Sequence, residues 1–335
     1  MNKKKYTFLS YFIFKAQFIG LSSITILTVL KQDAWLGIIL AFIIGFIPVL
    51  LIKALASSNE ENIIDFLNKK NKTYINYLIG IFLLFIIFIN FWNITNLIYT
   101  QYLNKTPIFI ISIFLIIPII SLINKNYIVI IRVGFILFTL SILLSLFSIL
   151  GLVNKINFAN LLPLLETNPT KGIIPYISYN VLSIFTILLF PGKYVKKSIV
   201  KGYIFSFISI ILTITCLISV LGINLTLLFQ YPEFNLLKLS YTGIVNFRLE
   251  NILAIQWLID IYFFISICFK YCNTALNIKK NYILPVVIVL INSIITFDSA
   301  SLRYLIIYKL PYIYLIIFSI LIIIIYIIKK SSKTT

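Results

Sequence analysis

Apolar residues run along this chain in long blocks joined by short polar connections, and within the blocks they do not alternate with polar ones. The blocks are about 18–25 residues long, enough to cross a bilayer as a helix and too long for barrel strands of roughly ten residues. Ten spans can be drawn, at about 6–30, 34–53, 74–100, 106–123, 128–153, 173–192, 199–225, 251–275, 281–297 and 308–328. Between spans 2 and 3, Asn62–Leu67 is expected to form a short interfacial helix. Segments 154–172 and 226–250 carry turn residues and are expected to be surface loops.

An even count puts both ends on one side. With the ends inside, inner segments carry 19 of the 28 Lys and Arg residues and outer loops carry 8, with Lys15 inside span 1. That bias orients both termini toward the cytoplasm, and one missed helix would invert it downstream. Ten spans also divide into two halves of five. An odd number per half forces the halves into opposite orientation, as in transporters built from inverted repeats. The expected fold is thus all-α, a single permease-like domain over 1–335 with inverted repeats at about 6–153 and 173–328. Spans 1 and 6 then correspond, and both are expected to break near the midplane. Span 1 carries Gly20-Leu21-Ser22-Ser23 there. Span 6 carries Pro175, Ser178-Tyr179-Asn180 and Pro191-Gly192.

Composition agrees with a lipid solvent. The chain is 61% hydrophobic and 11% charged, with a mean hydropathy of +1.07. Soluble domains are about 25% charged, and a protein this apolar could not cover a water-facing surface. Lys3-Lys4-Lys5 and the stretch after it imitate a signal peptide, but the stretch runs on to Leu30 and is read as span 1. The net charge of +19 sits in loops, where the positive-inside rule puts it, so nucleic acid is not an expected partner and membrane lipid is. No His is present, which excludes imidazole chemistry and His metal sites. Cys268 and Cys272 are one helical turn apart but lack further ligands. With Cys216 they are read as small packing residues, and no metal or cofactor is expected.

The polar residues inside the spans carry the functional expectations. Lys15 and Asp260 are the deepest ionisable groups, and a charge at that depth needs a partner, a cavity or neutralisation. One reading pairs them, the ammonium standing where five-plus-five transporters often hold a sodium ion. The other has Lys15 snorkel to the inner surface and Asp260 protonated or hydrogen-bonded. Asn90, Asn93 and Asn96 make a polar stripe on one face of span 3. It either lines a central cavity or bonds between helices. Gln17, Gly20, Ser22 and Ser23 of span 1 and Ser178, Tyr179, Asn180 and Ser183 of span 6 complete a candidate ligand site with Asn90 and Asn93. Together they suit a small zwitterion, whose carboxylate could be held by amides freed at a helix break. No catalytic constellation is visible: there is no phosphate loop, dinucleotide fingerprint or paired nucleophile and base. Five outer acids, Asp33, Glu166, Glu233, Glu250 and Asp298, are scattered over separate loops and read as solvated.

Several loop motifs carry a resemblance. Gln32-Asp33-Ala34-Trp35-Leu36 opens span 2. Asn160-Leu161-Leu162-Pro163-Leu164-Leu165 precedes span 6, with Lys171-Gly172 and Pro175 after it. Tyr231-Pro232 leads on to Phe247-Arg248-Leu249-Glu250 and Trp257. In order and spacing this set resembles the spore germination permeases, the B subunits of endospore germinant receptors, over nearly the whole chain. That family belongs to the amino acid–polyamine–organocation superfamily. The resemblance implies ten helices in a five-plus-five repeat and a sensor of a small-molecule germinant, often an amino acid. It also implies a place in the endospore inner membrane, beside an A-type membrane subunit and a C-type lipoprotein subunit. A secondary transporter of amino acids or other organic cations would need the same fold and cavity. The sequence departs from the family pattern where span 1 has one Gly and no following Pro, and where span 8 has Asp260 and Phe264.

Overall fold

The computed structural model describes residues 7–56, 62–239, 249–295 and 299–334, and among them only helices and connections occur. The helices are α1 (Thr7–Lys15), α2 (Ser23–Leu30), α3 (Ala34–Leu55), α4 (Ile63–Lys69), α5 (Thr73–Gln101), α6 (Ile108–Ile123) and α7 (Tyr127–Leu150). They continue with α8 (Ile173–Tyr176), α9 (Gly192–Leu228), α10 (Pro232–Lys238), α11 (Leu249–Ala275), α12 (Ile283–Ile295), α13 (Ser299–Tyr308) and α14 (Leu310–Thr334). Among the described residues, seven helical stretches are long and apolar enough to cross a membrane, and α6 and the Ile283–Ile294 part of α12 are shorter apolar helices. In lipid a helix satisfies its own backbone groups, which is why so apolar a sequence folds this way.

Burial separates centre from rim. Span 6, within Pro169–Leu189, is 89% buried inside the protein, the apolar window of α11 78% and that of α5 72%. The α7 stretch is 17% buried and that of α14 28%. Span 1 belongs to the centre, since Phe8, Phe12, Phe14, Leu21, Ile26 and Leu30 are all sealed off. The rim helices instead expose large apolar side chains such as Ile43 and Ile47 on α3 and Leu146, Phe147 and Leu150 on α7. Such faces suit lipid and would be an aggregation hazard in water.

Aromatic packing sets the centre's geometry. Phe8 and Phe12 of α1 pack against Phe138 of α7 and Phe263 of α11. Phe42 of α3 stacks on Phe207 of α9 at 3.8 Å. Where α1 crosses α9, Ser10 Oγ donates to Ser198 O at 3.1 Å. A side chain at Gly202 would run into Ser10, so the small residue sets how close the two helices lie.

Three connections differ from expectation or refine it. Asn62–Leu67 is largely the short helix α4, whose N-cap Asn62 accepts from the Asp65 amide at 2.8 Å. The helix of span 7 starts at Gly192, before the apolar block, because Lys196 and Lys201 are good helix formers whose heads can leave the membrane. It kinks at Gly222, where φ is 71° and ψ 160°. Segment 226–250 is not wholly a surface loop. Its first half forms α10, which buries Pro232, Glu233, Phe234, Leu236 and Leu237. Residues 240–248, with Phe247 and Arg248 of the sequence motif, and Asp298 lie outside the described residues.

Candidate functional site: the break in span 1

Span 1 does not cross as one helix. After α1 the chain makes a π turn, Phe18–Ser22, inside which Ile19 is extended (φ −72°, ψ 127°) and Gly20 is left-handed (φ 70°). Only glycine takes that conformation without strain. The position is also crowded: a Cβ on Gly20 would lie 2.6 Å from Asn93 Oδ1 and 2.6 Å from the Tyr231 ring. A break frees backbone groups that the surrounding medium cannot hydrate, so each needs a partner. Asn93 Nδ2 donates to Ile19 O at 2.8 Å. Gly20 N–H reaches Ser23 Oγ at 3.2 Å and, at 3.5 Å, Glu233 Oε1. Ser22 N–H reaches back to Gln17 O at 3.1 Å.

Span 6 changes its winding rather than unwinding. Helix α8 passes into a π turn, Ile177–Val181, and then a 3₁₀ segment, Leu182–Leu189. The change brings Asn180 to span 1, where its Nδ2 donates to Ser22 Oγ at 2.6 Å. Ser183 Oγ donates to Ile13 O at 2.8 Å. Ser178 and Tyr179 engage α14 instead. Ser178 Oγ donates to Pro311 O at 2.8 Å, and Tyr179 packs edge-on against Tyr314. Gln17 Nε2 approaches Tyr314 Oη at 3.4 Å. Asn90 is buried but donates to Ile86 O of its own helix at 2.8 Å. The π turn thus gathers Gly20, Ser22, Ser23, Asn93 and Asn180, whereas Gln17, Ser178 and Tyr179 turn to α14, Ser183 meets α1 and Asn90 stays on its own helix, one turn along α5 from Asn93.

The two deep charges meet below the break. Lys15 Nζ lies 3.0 Å from Asp260 Oδ2, and both side chains are buried. Tyr11 Oη accepts from Lys15 Nζ at 2.8 Å, and Ser141 Oγ of α7 donates to Asp260 Oδ1 at 2.8 Å. Each charge thus has a second partner besides the other, which burial of an ion pair requires.

Two residues at the break were read as outer-loop residues. Tyr231 is buried, accepts from Asn96 Nδ2 at 3.0 Å and donates to Asn93 O at 3.1 Å. Glu233 is fully buried, where the sequence reading had it solvated. Asp33 is a second correction. It is buried, and its carboxylate accepts from Leu165 N and Thr167 N, both at 2.7 Å, and from Thr167 Oγ1 at 3.1 Å. The neighbouring Gln32 amide donates to Glu166. Loop position alone gave no sign of this burial. The signal available for Asp33 was its place in the Gln32–Leu36 motif, since a loop motif has a job to do; Glu233 only follows Tyr231-Pro232 and carried no such signal.

The family model described as spore germination protein matches residues 4–302. The chain belongs to the spore germination protein family. No curated protein matches it. Membership and the apolar helices make this a multi-pass membrane protein of the germination apparatus with a transporter-like body. Within that body, the break in span 1 is where backbone and side-chain polar groups from α5, span 6 and α10 gather.

Proposed function

We propose that this protein is the sensing, B-type subunit of an endospore germinant receptor and acts without catalysis. In this reading it holds a small nutrient at the break in span 1 and passes the binding free energy to an A-type membrane subunit and a C-type lipoprotein. It crosses the spore inner membrane ten times, as inverted repeats of five with both termini cytoplasmic. The observation that carries the reading is the pairing of a broken span 1 with a rewound span 6 at one buried polar locus, joined through Ser22 and Asn180. A ligand that prefers one arrangement of that locus shifts the population of states, and partner subunits respond to the shift. Irregular backbone at membrane depth is tolerated where it is buried in protein or lines a cavity, which is where ligands are taken.

The deciding experiment is deletion of the gene followed by germination assays over a panel of nutrients. Loss of the response to one nutrient or a small set is expected, with restoration from a plasmid copy. Undiminished germination in every nutrient, in a strain also stripped of paralogues, would sink the proposal. Uptake of labelled nutrient by the chain alone in proteoliposomes would replace sensing with transport.

A further inference from the structure

At one end of the bundle, where α6 and α11 finish and α12 begins, the protein has a cavity of ≈ 320 Å³. Pockets that hold small ligands run from about 300 to 1,000 Å³. All three elements contribute to the wall. Lys270 of α11 crosses to the end of α6, where its Nζ donates to Ile123 O at 3.1 Å and to Lys125 O. A cation suits that end of a helix, whose last carbonyls lack partners within the helix. Asn273 Nδ2 donates to Asn281 Oδ1 at 3.3 Å, and Asn281 Nδ2 donates to Asn124 Oδ1 at 2.9 Å. Asn277, left-handed at φ 58°, turns the chain after α11 and leads to Lys279, an exposed residue of the cavity wall. Asparagine is among the few residues that take that conformation readily.

The cavity has one sign. Lys270 and Lys279 line it, Lys280 follows, and neither 104–133 nor 261–297 contains an Asp or Glu. Lys270 is committed to the α6 carbonyls but keeps its charge, and Lys279 adds a second. A recess walled by one sign of charge concentrates the other. Asn273, also in the wall, is buried, and its Oδ1 has no hydrogen-bond partner. Buried acceptors are ordinarily satisfied, so a ligand that brings a hydroxyl with its negative charge answers both features. Helix α12 decides the source of that anion. Its residues Ile283, Val286, Val287 and Leu290 are exposed at i, i+3, i+4 and i+7, an apolar stripe that begins beside the cavity. Tyr282, just ahead of them, is exposed as well, at a level where membrane interfaces favour tyrosine. A soluble phosphate has no use for such a stripe, whereas a phospholipid can lay an acyl chain along it with its headgroup in the basic recess. We propose that the cavity between α6, α11 and α12 binds the headgroup of an anionic phospholipid. Lys279 is the direct partner of the phosphate, and Lys270 is part of the positive wall. On the proposed topology the lipid belongs to the cytoplasmic leaflet. The site is separate from the break in span 1 and does not depend on the receptor reading.

The test counts bound lipid on the purified full chain by native mass spectrometry from detergent. The probes are dioctanoyl phosphatidylglycerol, whose headgroup carries both a phosphate and hydroxyls, dioctanoyl phosphatidylcholine as its neutral counterpart, and soluble glycerol 3-phosphate. The wild type is expected to hold one phosphatidylglycerol more tightly than phosphatidylcholine, and glycerol 3-phosphate at the same concentration is expected not to displace it. Lys279→Glu removes an attraction and adds a repulsion, so affinity for phosphatidylglycerol is expected to fall about tenfold or more. Lys70→Glu makes the same change of charge at the end of α4 and is expected to leave that affinity unchanged. Should Lys279→Glu fail to fold, Lys279→Gln only neutralises the charge and is expected to lose affinity about fivefold. An equal loss in Lys70→Glu reduces the effect to general surface charge. Displacement by glycerol 3-phosphate assigns the site to a soluble phosphate. Phosphatidylcholine held as tightly as phosphatidylglycerol removes the anion from the account. Any of these three results, or undiminished binding in the Lys279 variants, overturns the proposal.

Discussion

Lys15 Nζ and Asp260 Oδ2 face each other at 3.0 Å across the contact between span 1 and α11, with Tyr11 and Ser141 completing the shell. Removing one member of a buried pair strands the other, at a typical cost of about 3–5 kcal/mol. Lys15→Met and Asp260→Leu alone are each expected to lower the melting temperature sharply, whereas the double variant recovers most of the loss. Exchanging the two charges is expected to restore part of it. Thermal unfolding in detergent reads all four, and single variants as stable as the double would show that the contact carries little.

Gly20→Ala forces a left-handed conformation on a residue with a Cβ, roughly 1–2 kcal/mol from that alone. The Cβ also meets the Tyr231 ring and Asn93 Oδ1. The steric part should shrink when Tyr231 is already alanine, so a double-mutant cycle on the two positions is expected to show coupling of roughly 0.5–3 kcal/mol. Additive losses in melting temperature would mean that Tyr231 does not seat on Gly20.

Tyr231→Phe deletes one hydroxyl and leaves Asn96 Nδ2 without the acceptor it has now. Stranding a buried polar group costs about 1–3 kcal/mol. Since the ring stays over Gly20, the hydroxyl loss should destabilise less than Tyr231→Ala. The order wild type, Phe, Ala in melting temperature checks this.

Asp33→Asn replaces an acceptor-only carboxylate by an amide that can no longer accept equally from Leu165, Thr167 and the Thr167 hydroxyl. Hydrogen bonds to a charged group are worth about 1.5–3 kcal/mol each. The expected outcome is faster proteolysis within 154–172 in Asp33→Asn than in Thr167→Ala, which gives up the hydroxyl alone. Equal cleavage rates in the two variants and the wild type would mean that the loop is held by something else.

The inside placement of both termini is tested with single cysteines and a membrane-impermeant maleimide on intact cells. Asn168→Cys is expected to label and Lys196→Cys only after permeabilisation, both in a background in which Cys216, Cys268 and Cys272 are serine. The reverse pattern inverts the topology.

The apolar blocks gave the helices because in lipid a long apolar run has one way to satisfy its backbone. Gly20-Leu21-Ser22-Ser23 announced the break in span 1, since glycine and short hydroxyl side chains together suit a turn that frees backbone groups. The acids were misread for a physical reason. Asp33 and Glu233 lie in connections, and nothing local distinguishes a solvated carboxylate from one folded back onto the bundle. What buries them is tertiary: the amides of Leu165 and Thr167 for one, the broken end of span 1 for the other. The Asn stripe was legible as a stripe, but its members part company. Asn93 serves the break, Asn96 serves Tyr231 and Asn90 serves its own helix.

The Asp33 clamp has a mechanical consequence. Asp33 closes the corner between α2 and α3, and the residues it grips, Leu165 and Thr167, stand a few positions before the entry to span 6. The outer half of span 1 and the lead-in to span 6 are therefore yoked at one end of the bundle. Any tilt of α2 would have to carry the entry of span 6 with it, or break the hydrogen bonds that pin the two together at Asp33.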